Sequence, residues 1–479
     1  MESLLRPGEN CGTLARANRF ALLVDGSAYY EALAESIRRA RRTVIMLGWD
    51  LDTRVRLGAG ADPDGGSLQP PLRDFLPGVA EANPNLDIYI LTWDFSVLFA
   101  NARDPELVWG RNPFKHPRVH LTFDGVHPPG ASHHQKIVVI DDCLAFSGGM
   151  DVAGGRWDTP EHRAHDERRA GKDEPYPPSH DVQAMVDGEA ARELAAIARE
   201  RWRRATGDTI PELLQEHQLW PDRVTPDLEN ATLGISRTDI GPDGTGGRLE
   251  VERLHLDLIA AARQSIYIEN QYLTSSTMAS ALCHRLDEAD GPDVLIVLPL
   301  NNTGWLEDQT IEVLRFRSLQ RLRQADRYGR LRICYPVVPG LDGDGVMVHS
   351  KILVVDDRWF RVGSSNLTDR SMRLDTECDL TIEATSELER RTVARLRNCL
   401  LGEHLGMPAD AVEASLAKDP SLIRLVDSRR AEARSLRELS SDGRTTGLLA
   451  IDEIVDPSRP ITAGLVIEAF KATLLPKTR

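Results

Sequence analysis

The sequence predicts an α/β protein of two similar halves, each a mostly parallel β-sheet flanked by helices, with the active site in the cleft between them. Three observations lead there. Short β-branched apolar runs alternate with helical stretches along the chain, as repeated βα units require. The order of runs in the first half returns in the second. One long pattern also occurs twice: HQKIVVIDDCLAFSGGMD at 134–151 and HSKILVVDDRWFRVGSSN at 349–366.

The elements can be justified in order. RFALLVDGSAYYEALAESIRRARRTVIMLGWDL (19–51) reads as strand, helix, strand, and its counterpart ends in SIYIENQYL (265–273). PNLDIYILTWD (84–94) parallels PDVLIVLPL (292–300), and RVHLTFD (118–124) parallels RLRICYP (330–336), just ahead of each long pattern. A proline-rich polar stretch at 209–229 separates a first half, 1–208, from a second, 230–405. Residues 406–479 carry helical patterns (ADAVEASLAK, SRRAEARSLREL) and are expected to form a helical extension without chemistry of its own. Two long segments without apolar periodicity, 154–180 and 337–348, are expected to act as lids at the rim of the cleft.

The repeated pattern carries the chemistry. Both copies fit H-x-K, four residues, D, six residues, then G-[GS]-x-[DN]. The fixed positions are His134, Lys136, Asp141, Gly148 and Asp151, then His349, Lys351, Asp356, Gly363 and Asn366. Alternation along an extended chain puts each histidine and its lysine on one face. The runs IVVI and ILVV that follow are apolar on both faces, as in a strand buried within a sheet. An imidazole beside an ammonium suits an anionic centre: the lysine stabilises charge on phosphoryl oxygens, and the histidine attacks or passes a proton. Two copies supply a nucleophile and an acid that later serves as base. A single His-x-Lys is common surface chemistry; the full duplication is what favours function. Asp141 and Asp356 follow apolar strands and read as turn residues. Gly148, Gly149 and Gly363 read as positions of a tight turn or of close backbone approach.

At these residues the chain resembles the phospholipase D superfamily, whose hallmark is a duplicated histidine–lysine–aspartate motif. IYIENQYL (266–273), NLTDRSMRLDTE (366–377), GGRWDTPEH (154–162) and SHDVQAMVDGEAAREL (179–194) extend the likeness to the phospholipid-cleaving branch. The resemblance implies a phosphohistidine on His134, with His349 protonating the leaving alcohol and then activating the acceptor. It implies that Lys136, Lys351 and Asn366 hold phosphate oxygens, and that Asp181 and Glu377 orient the histidines. Asp151 occupies the position matching Asn366 and by that match is expected to bind phosphate as well, although a carboxylate there would repel it unless protonated or turned away. Lysines supply the cations in this family, so the resemblance implies neither cofactor nor metal. The reaction implied is transfer of a phosphatidyl group to water or an alcohol. A cardiolipin-synthase-like phosphatidyltransferase is the alternative, followed by a nuclease and a noncatalytic lipid-binding protein.

Composition bounds the partners. The net charge is −15, the basic runs RRARR (38–42) and RFRSLQRLRQADRYGR (315–330) are short, and aromatics make up 5%. Each property argues against nonspecific nucleic-acid binding. The arginine-rich run at 315–330 is either a solvated face or a membrane or phosphate contact. The expected partners are a phospholipid and the membrane surface it sits in, touched peripherally. Both motifs lie on one chain, so a monomer is expected to be complete. No run reaches the ~20 apolar residues of a membrane span, and the start, MESLLRPGENCG, lacks the features of a secretory signal. Read as a native start, it predicts a cytoplasmic protein. Six cysteines at irregular spacing predict free thiols, with neither a disulfide framework nor a zinc motif.

Overall fold

A computed structural model of the chain describes residues 3–58, 69–94, 112–169, 175–213, 217–301, 305–341, 343–440 and 456–462, with the side chains of 305–310 excepted. The first half runs β1 (Thr13–Val24), α1 (Asp25–Arg39), β2 (Thr43–Gly48), α2 (Leu72–Ala82), β3 (Asp87–Trp93), β4 (Val119–Asp124), β5 (Ile137–Ile140), β6 (Leu144–Gly148), β7 (Ser179–His180), β8 (Val182–Asp187) and α3 (Glu189–Thr206). The second runs β9 (Leu228–Asp239), β10 (Arg248–Leu249), α4 (Glu250–Ala261), β11 (Ser265–Glu269), α5 (Ser276–Asp287), β12 (Asp293–Val297), α6 (Trp305–Ala325), β13 (Leu331–Val337), β14 (Met347–Val348), β15 (Ile352–Val355), β16 (Trp359–Gly363), α7 (Asp369–Arg373), β17 (Glu377–Glu383) and α8 (Glu387–Leu405). Beyond it lie α9 (Ala409–Lys418), α10 (Leu422–Ser428) and β18 (Ser435–Glu438).

The strands join in one sheet, ordered β18-β13-β12-β11-β15-β16-β17-β9-β1-β8-β6-β5-β2-β3-β4, with β10 beside β9. Outward from the β9–β1 seam the two halves repeat strand for strand. The α/β class and the like halves stand, but the strand directions correct the mostly parallel expectation. Within this sheet, parallel pairing is confined to β2–β3–β4 and β11–β12–β13. The reason is local: β5–β6 and β15–β16 are tight hairpins, and a connection that short can only reverse the chain. Asp141 and Asp356 take positive φ, 49° and 54°, in the hairpin turns, which Asp tolerates better than most residues.

Alternation explains the layers. Ile45 and Leu47 of β2 face a core under α3 and α8, while Val44 and Met46 face α1 and α2. Helices α4 and α5 cover the second half on that latter side. In α1, Tyr29, Tyr30, Leu33 and Ile37 make one buried stripe. Side chains of this size contribute roughly 1.5–3 kcal/mol each on full burial. Helix α8 begins with a capping box, Ser386 and Glu389, and ends at Gly406 in the left-handed conformation. The C-terminal extension is not purely helical: β18 pairs with β13 and covers an edge that would otherwise stand open.

The segments expected to be lids are tied down instead. Trp157, Asp158, His162 and Arg169 are buried, and β7 pairs with β14, joining residues 179–180 to 347–348 across the halves. Residues 170–174 and 342 lie outside the described residues. Within the arginine-rich run, Arg315 donates to the Pro299 carbonyl at 2.9 Å and Arg330 to the Leu286 carbonyl at 3.2 Å, while Arg327 forms a surface pair with Asp287 at 2.8 Å. All six cysteines are free thiols. Among the described residues no helix is long and apolar enough to cross a membrane.

Candidate active site

Each histidine motif enters its hairpin through a short segment that pairs with the opposite half. His134 N–H donates to the Thr376 carbonyl at 3.0 Å, and Thr376 N–H to the Ser132 carbonyl at 3.0 Å. Across the pseudo-twofold relation, His349 N–H donates to the His180 carbonyl at 2.8 Å. These contacts exchange carboxylates between the halves. Glu377, opening β17, accepts from His134 Nδ1 at 3.0 and 3.1 Å. Asp181, between β7 and β8, accepts from His349 Nδ1 at 2.6 Å. In both imidazoles Nε2 makes no hydrogen bond among the described residues.

The structure brings all six expected catalytic side chains together. His134 is the more open of the two imidazoles, its side chain 14% exposed against 5% for His349. The lysines are buried; Lys136 Nζ donates to the His134 carbonyl at 3.0 Å, and Lys351 Nζ to the His349 carbonyl. Burial, followed by the charges of Lys136 and Lys351, holds His134 well below an ordinary imidazole. Burial, then Arg156 and both lysines, does the same to His349. Burial pushes Glu377 up to about 8 and raises Asp181. Burial lowers Lys351 to about 7, against the opposing pull of Asp181. Lys136, Lys351 and Arg156 make the buried centre cationic, which makes charged imidazoles costly.

Asp151 is turned away from the recess. Its Oδ2 pairs with Lys136 at 3.1 Å, and its Oδ1 accepts from Trp49 N–H at 2.9 Å. Burial disfavours its charge, but Lys136 and Arg156 outweigh that and keep its pKa low. Asn366 is buried, and its Oδ1 has no hydrogen-bond partner among the described residues. Asp141 and Asp356 sit at the far ends of their hairpins. Asp141 accepts from the amides of Arg41, Arg42 and Thr43 at 2.6–2.8 Å. Asp356 accepts from Gln264 at 2.8 Å and Ser265 at 3.0 Å. Each one anchors the start of the strand beside its hairpin, β2 or β11. Gly148 and Gly363 run against the next strand: a Cβ on Gly148 would lie 2.7 Å from the Val182 carbonyl, and one on Gly363 2.6 Å from Asp379 Cα.

Arg156 is the functional candidate that the sequence reading left unassigned. Its charge acts on His349, Asp181, Lys351 and Asp151, and its Nε lacks a hydrogen-bond partner among the described residues. Its place in GGRWDTPEH was the only signal, because nothing in its spacing ties it to either motif. Groups of histidines and carboxylates close enough to share a cation lie behind His349, at Asp25, His162, His180 and Glu403 and at His180, Glu269 and His404. Neither group includes a motif histidine.

Known proteins resemble this chain in both halves. A family model described as "Phospholipase D" matches residues 127–224, and one described as "Cardiolipin synthase, PLD-like domain" matches residues 255–398. Each motif therefore falls within one match. Phospholipase D1 of Saccharomyces cerevisiae is 24% identical over 518 residues, covering 83% of this chain and 29% of that protein. Phospholipase D A of Dictyostelium discoideum is 27% identical over 470 residues, covering 81% and 35%. The chain thus spans about a third of the length of these curated relatives. Among solved structures, phosphatidylserine synthase of Haemophilus influenzae Rd KW20 covers 88% of this chain and 98% of its own, with a TM-score of 0.56 and 14% identity, a likeness of fold.

Proposed function

This chain belongs to the phospholipase D superfamily, and from that premise we propose that it transfers the phosphatidyl group of a glycerophospholipid through a phosphohistidine to water or an alcohol. The observation that carries the reading is the exchange of carboxylates, His134 with Glu377 and His349 with Asp181. Glu377 on Nδ1 fixes the tautomer of His134 and leaves its Nε2 lone pair for attack, while Asp181 on Nδ1, together with the bound phosphate anion, supports the cationic form of His349 that carries a proton on Nε2. His134 Nε2 attacks phosphorus, the bond to the head-group oxygen breaks, and His349 Nε2–H protonates that oxygen. His349 then takes the proton of the incoming water or alcohol as its oxygen attacks phosphorus and His134 leaves. Lys136, Lys351, Asn366 and Arg156 stabilise the non-bridging oxygens. Asp151 acts through Lys136, holding its ammonium in place, and is not a phosphate ligand in this reading. The substrate is met at a membrane surface, which the protein touches peripherally as a single chain.

The test uses mixed phospholipid vesicles with a little primary alcohol and His134→Ala as control. Phosphatidic acid and phosphatidylalcohol, both absent with the variant, are expected. Products formed equally by His134→Ala would overturn the assignment. The cardiolipin-synthase-like reading differs only in acceptor, and a lipid hydroxyl offered beside the alcohol separates the two.

A further inference from the structure

Behind His349 lies a buried cluster that the proposed chemistry does not use. We propose that Asp25, His162, His180 and Glu403 form a divalent-metal site of the zinc type that clasps the two halves together. Asp25 starts α1, His162 lies in the buried loop after β6, His180 ends β7, and Glu403 comes from α8 of the second half.

The donor atoms converge. His162 Nε2 lies 2.8 Å from Glu403 Oε1 and 3.7 Å from Asp25 Oδ2. His180 Nδ1 lies 2.7 Å from Glu403 Oε1 and 3.2 Å from Asp25 Oδ1. Zinc bonds of 2.0–2.1 Å in a tetrahedron set neighbouring donors about 3.3 Å apart, within the range found. Asp25, His162 and His180 are 0–1% exposed. Despite its neighbours, His180 Nδ1 has no hydrogen-bond partner among the described residues, and neither does Asp25 Oδ2. Both atoms point into the cluster, and two buried polar atoms left this way are costly without a ligand.

The outer contacts of the two histidines suit ligation. His162 Nδ1 lies 3.0 Å from Asp158 Oδ2, and His180 Nε2 lies 2.9 Å from Glu269 Oε2. Each outer nitrogen thus has a carboxylate to receive its proton, and each inner nitrogen faces Glu403 and Asp25, to which it donates when protonated and beside which it would ligate a cation when deprotonated. That is how metal-bound histidines are oriented. The neighbouring group of His180, Glu269 and His404 is a weaker candidate, because Glu269 is already satisfied. It accepts from Tyr267 at 2.5 Å and Ser350 at 2.6 Å and also contacts both histidines. Two nitrogens and two carboxylates in a closed set fit zinc, whereas calcium and magnesium take oxygen ligands alone. The site would brace the active centre: His180 precedes Asp181, and Asp25 N–H donates to the Asp181 carbonyl at 2.8 Å.

The test is metal content of the full chain, purified from zinc-supplemented medium and dialysed against metal-free buffer. About one zinc per chain is expected, replaceable by cobalt with the strong visible absorption of a tetrahedral site. Glu403→Gln and His162→Gln should each lower zinc affinity at least tenfold, and Asp158→Asn roughly 10–100-fold through the outer hydrogen bond. Wild-type protein that is folded yet binds neither metal at micromolar concentration would overturn the site, leaving a network of protonated histidines. Stoichiometric metal unaffected by Glu403→Gln and His162→Gln together would also overturn it. Neither readout depends on catalysis.

Discussion

Glu377 of the second half accepts a hydrogen bond from Nδ1 of His134 in the first, at 3.0 Å, and the bond crosses the pseudo-twofold relation between them. Asp181 repays it on His349 at 2.6 Å. Neither half therefore holds a complete histidine–carboxylate pair by itself. The first prediction is that Glu377→Gln and Asp181→Asn each lower kcat roughly 10²–10⁴-fold with little change in KM, since an amide no longer fixes the tautomer. Steady-state kinetics on short-chain phospholipid checks this; an effect confined to KM would mean that the carboxylates act on substrate binding instead.

The same pair makes stability depend on pH. Burial sets Glu377 at about 8 and, with the lysines, holds His134 well below 6.5. Folded, the pair keeps one titrating proton until pH 8; unfolded, its last proton leaves near 6.5, the ordinary histidine value. Between those limits the folded state binds more protons, so stability falls as pH rises. Wild-type protein should lose melting temperature from pH 6.5 to 8, and Glu377→Gln should show a shallower loss. Equal slopes for both proteins would refute the assignment.

Two glycines test the packing behind the motifs. A Cβ on Gly149 would lie 2.2 Å from Asp181 Oδ1, and one on Gly363 2.0 Å from Asp379 Oδ1 and 2.6 Å from its Cα. The Asp379 clash involves backbone and a buried ion pair with Arg361, so Gly363→Ala should be the more destabilising. Overpacking of this kind costs roughly 1–3 kcal/mol or more. Gly149→Ala should instead displace Asp181 from His349 and lower kcat more than melting temperature. Melting curves and kinetics on both variants decide, and the reverse ranking would contradict the geometry.

The sequence made the histidine–lysine pairs legible because the whole pattern occurs twice, and strands β2, β3, β5 and their counterparts because β-branched runs carry a strong period. Strand direction was less legible: Asp141–Asp142 and Asp356–Asp357 signalled turns, but only the hairpins they close reveal how much of the sheet is antiparallel. That Asp181 and Glu377 orient the histidines followed from resemblance, but their exchange between the halves, His134 with Glu377 and His349 with Asp181, did not, since no local spacing links residues so distant. Asp25, His162, His180 and Glu403 had no signal at all, because four chain segments converge only on folding. The segment 154–169 read as a loop because its buried residues are polar, and their burial depends on partners supplied from α1 and α8.

The motif aspartates give a fourth prediction. Asp141 gathers three backbone amides and His217, the last at 2.9 Å, and is fully buried, whereas Asp356 is only partly so. Removing an acceptor strands buried donors at roughly 1–3 kcal/mol. Asp141→Ala should therefore melt well below wild type and Asp356→Ala less so, with kcat per folded molecule unchanged in both. A loss of kcat without loss of stability would place these carboxylates in the chemistry.

Lys351 supplies the last prediction. Burial lowers its ammonium to about 7, although Asp181 pulls the other way. In the free enzyme at pH 8 most of these side chains are neutral. A phosphate-like anion bound between the lysines favours the charged form and raises the pKa, so Lys351 should contribute proton uptake on binding at pH 8 and almost none at pH 6. Titration calorimetry with vanadate, in buffers of different ionisation enthalpy, counts those protons. Lys351→Arg, whose guanidinium stays charged in both states, should still bind the anion but with reduced uptake at pH 8. Uptake unchanged in that variant would move the titration to the Glu377–His134 pair, whose proton is held to about the same pH.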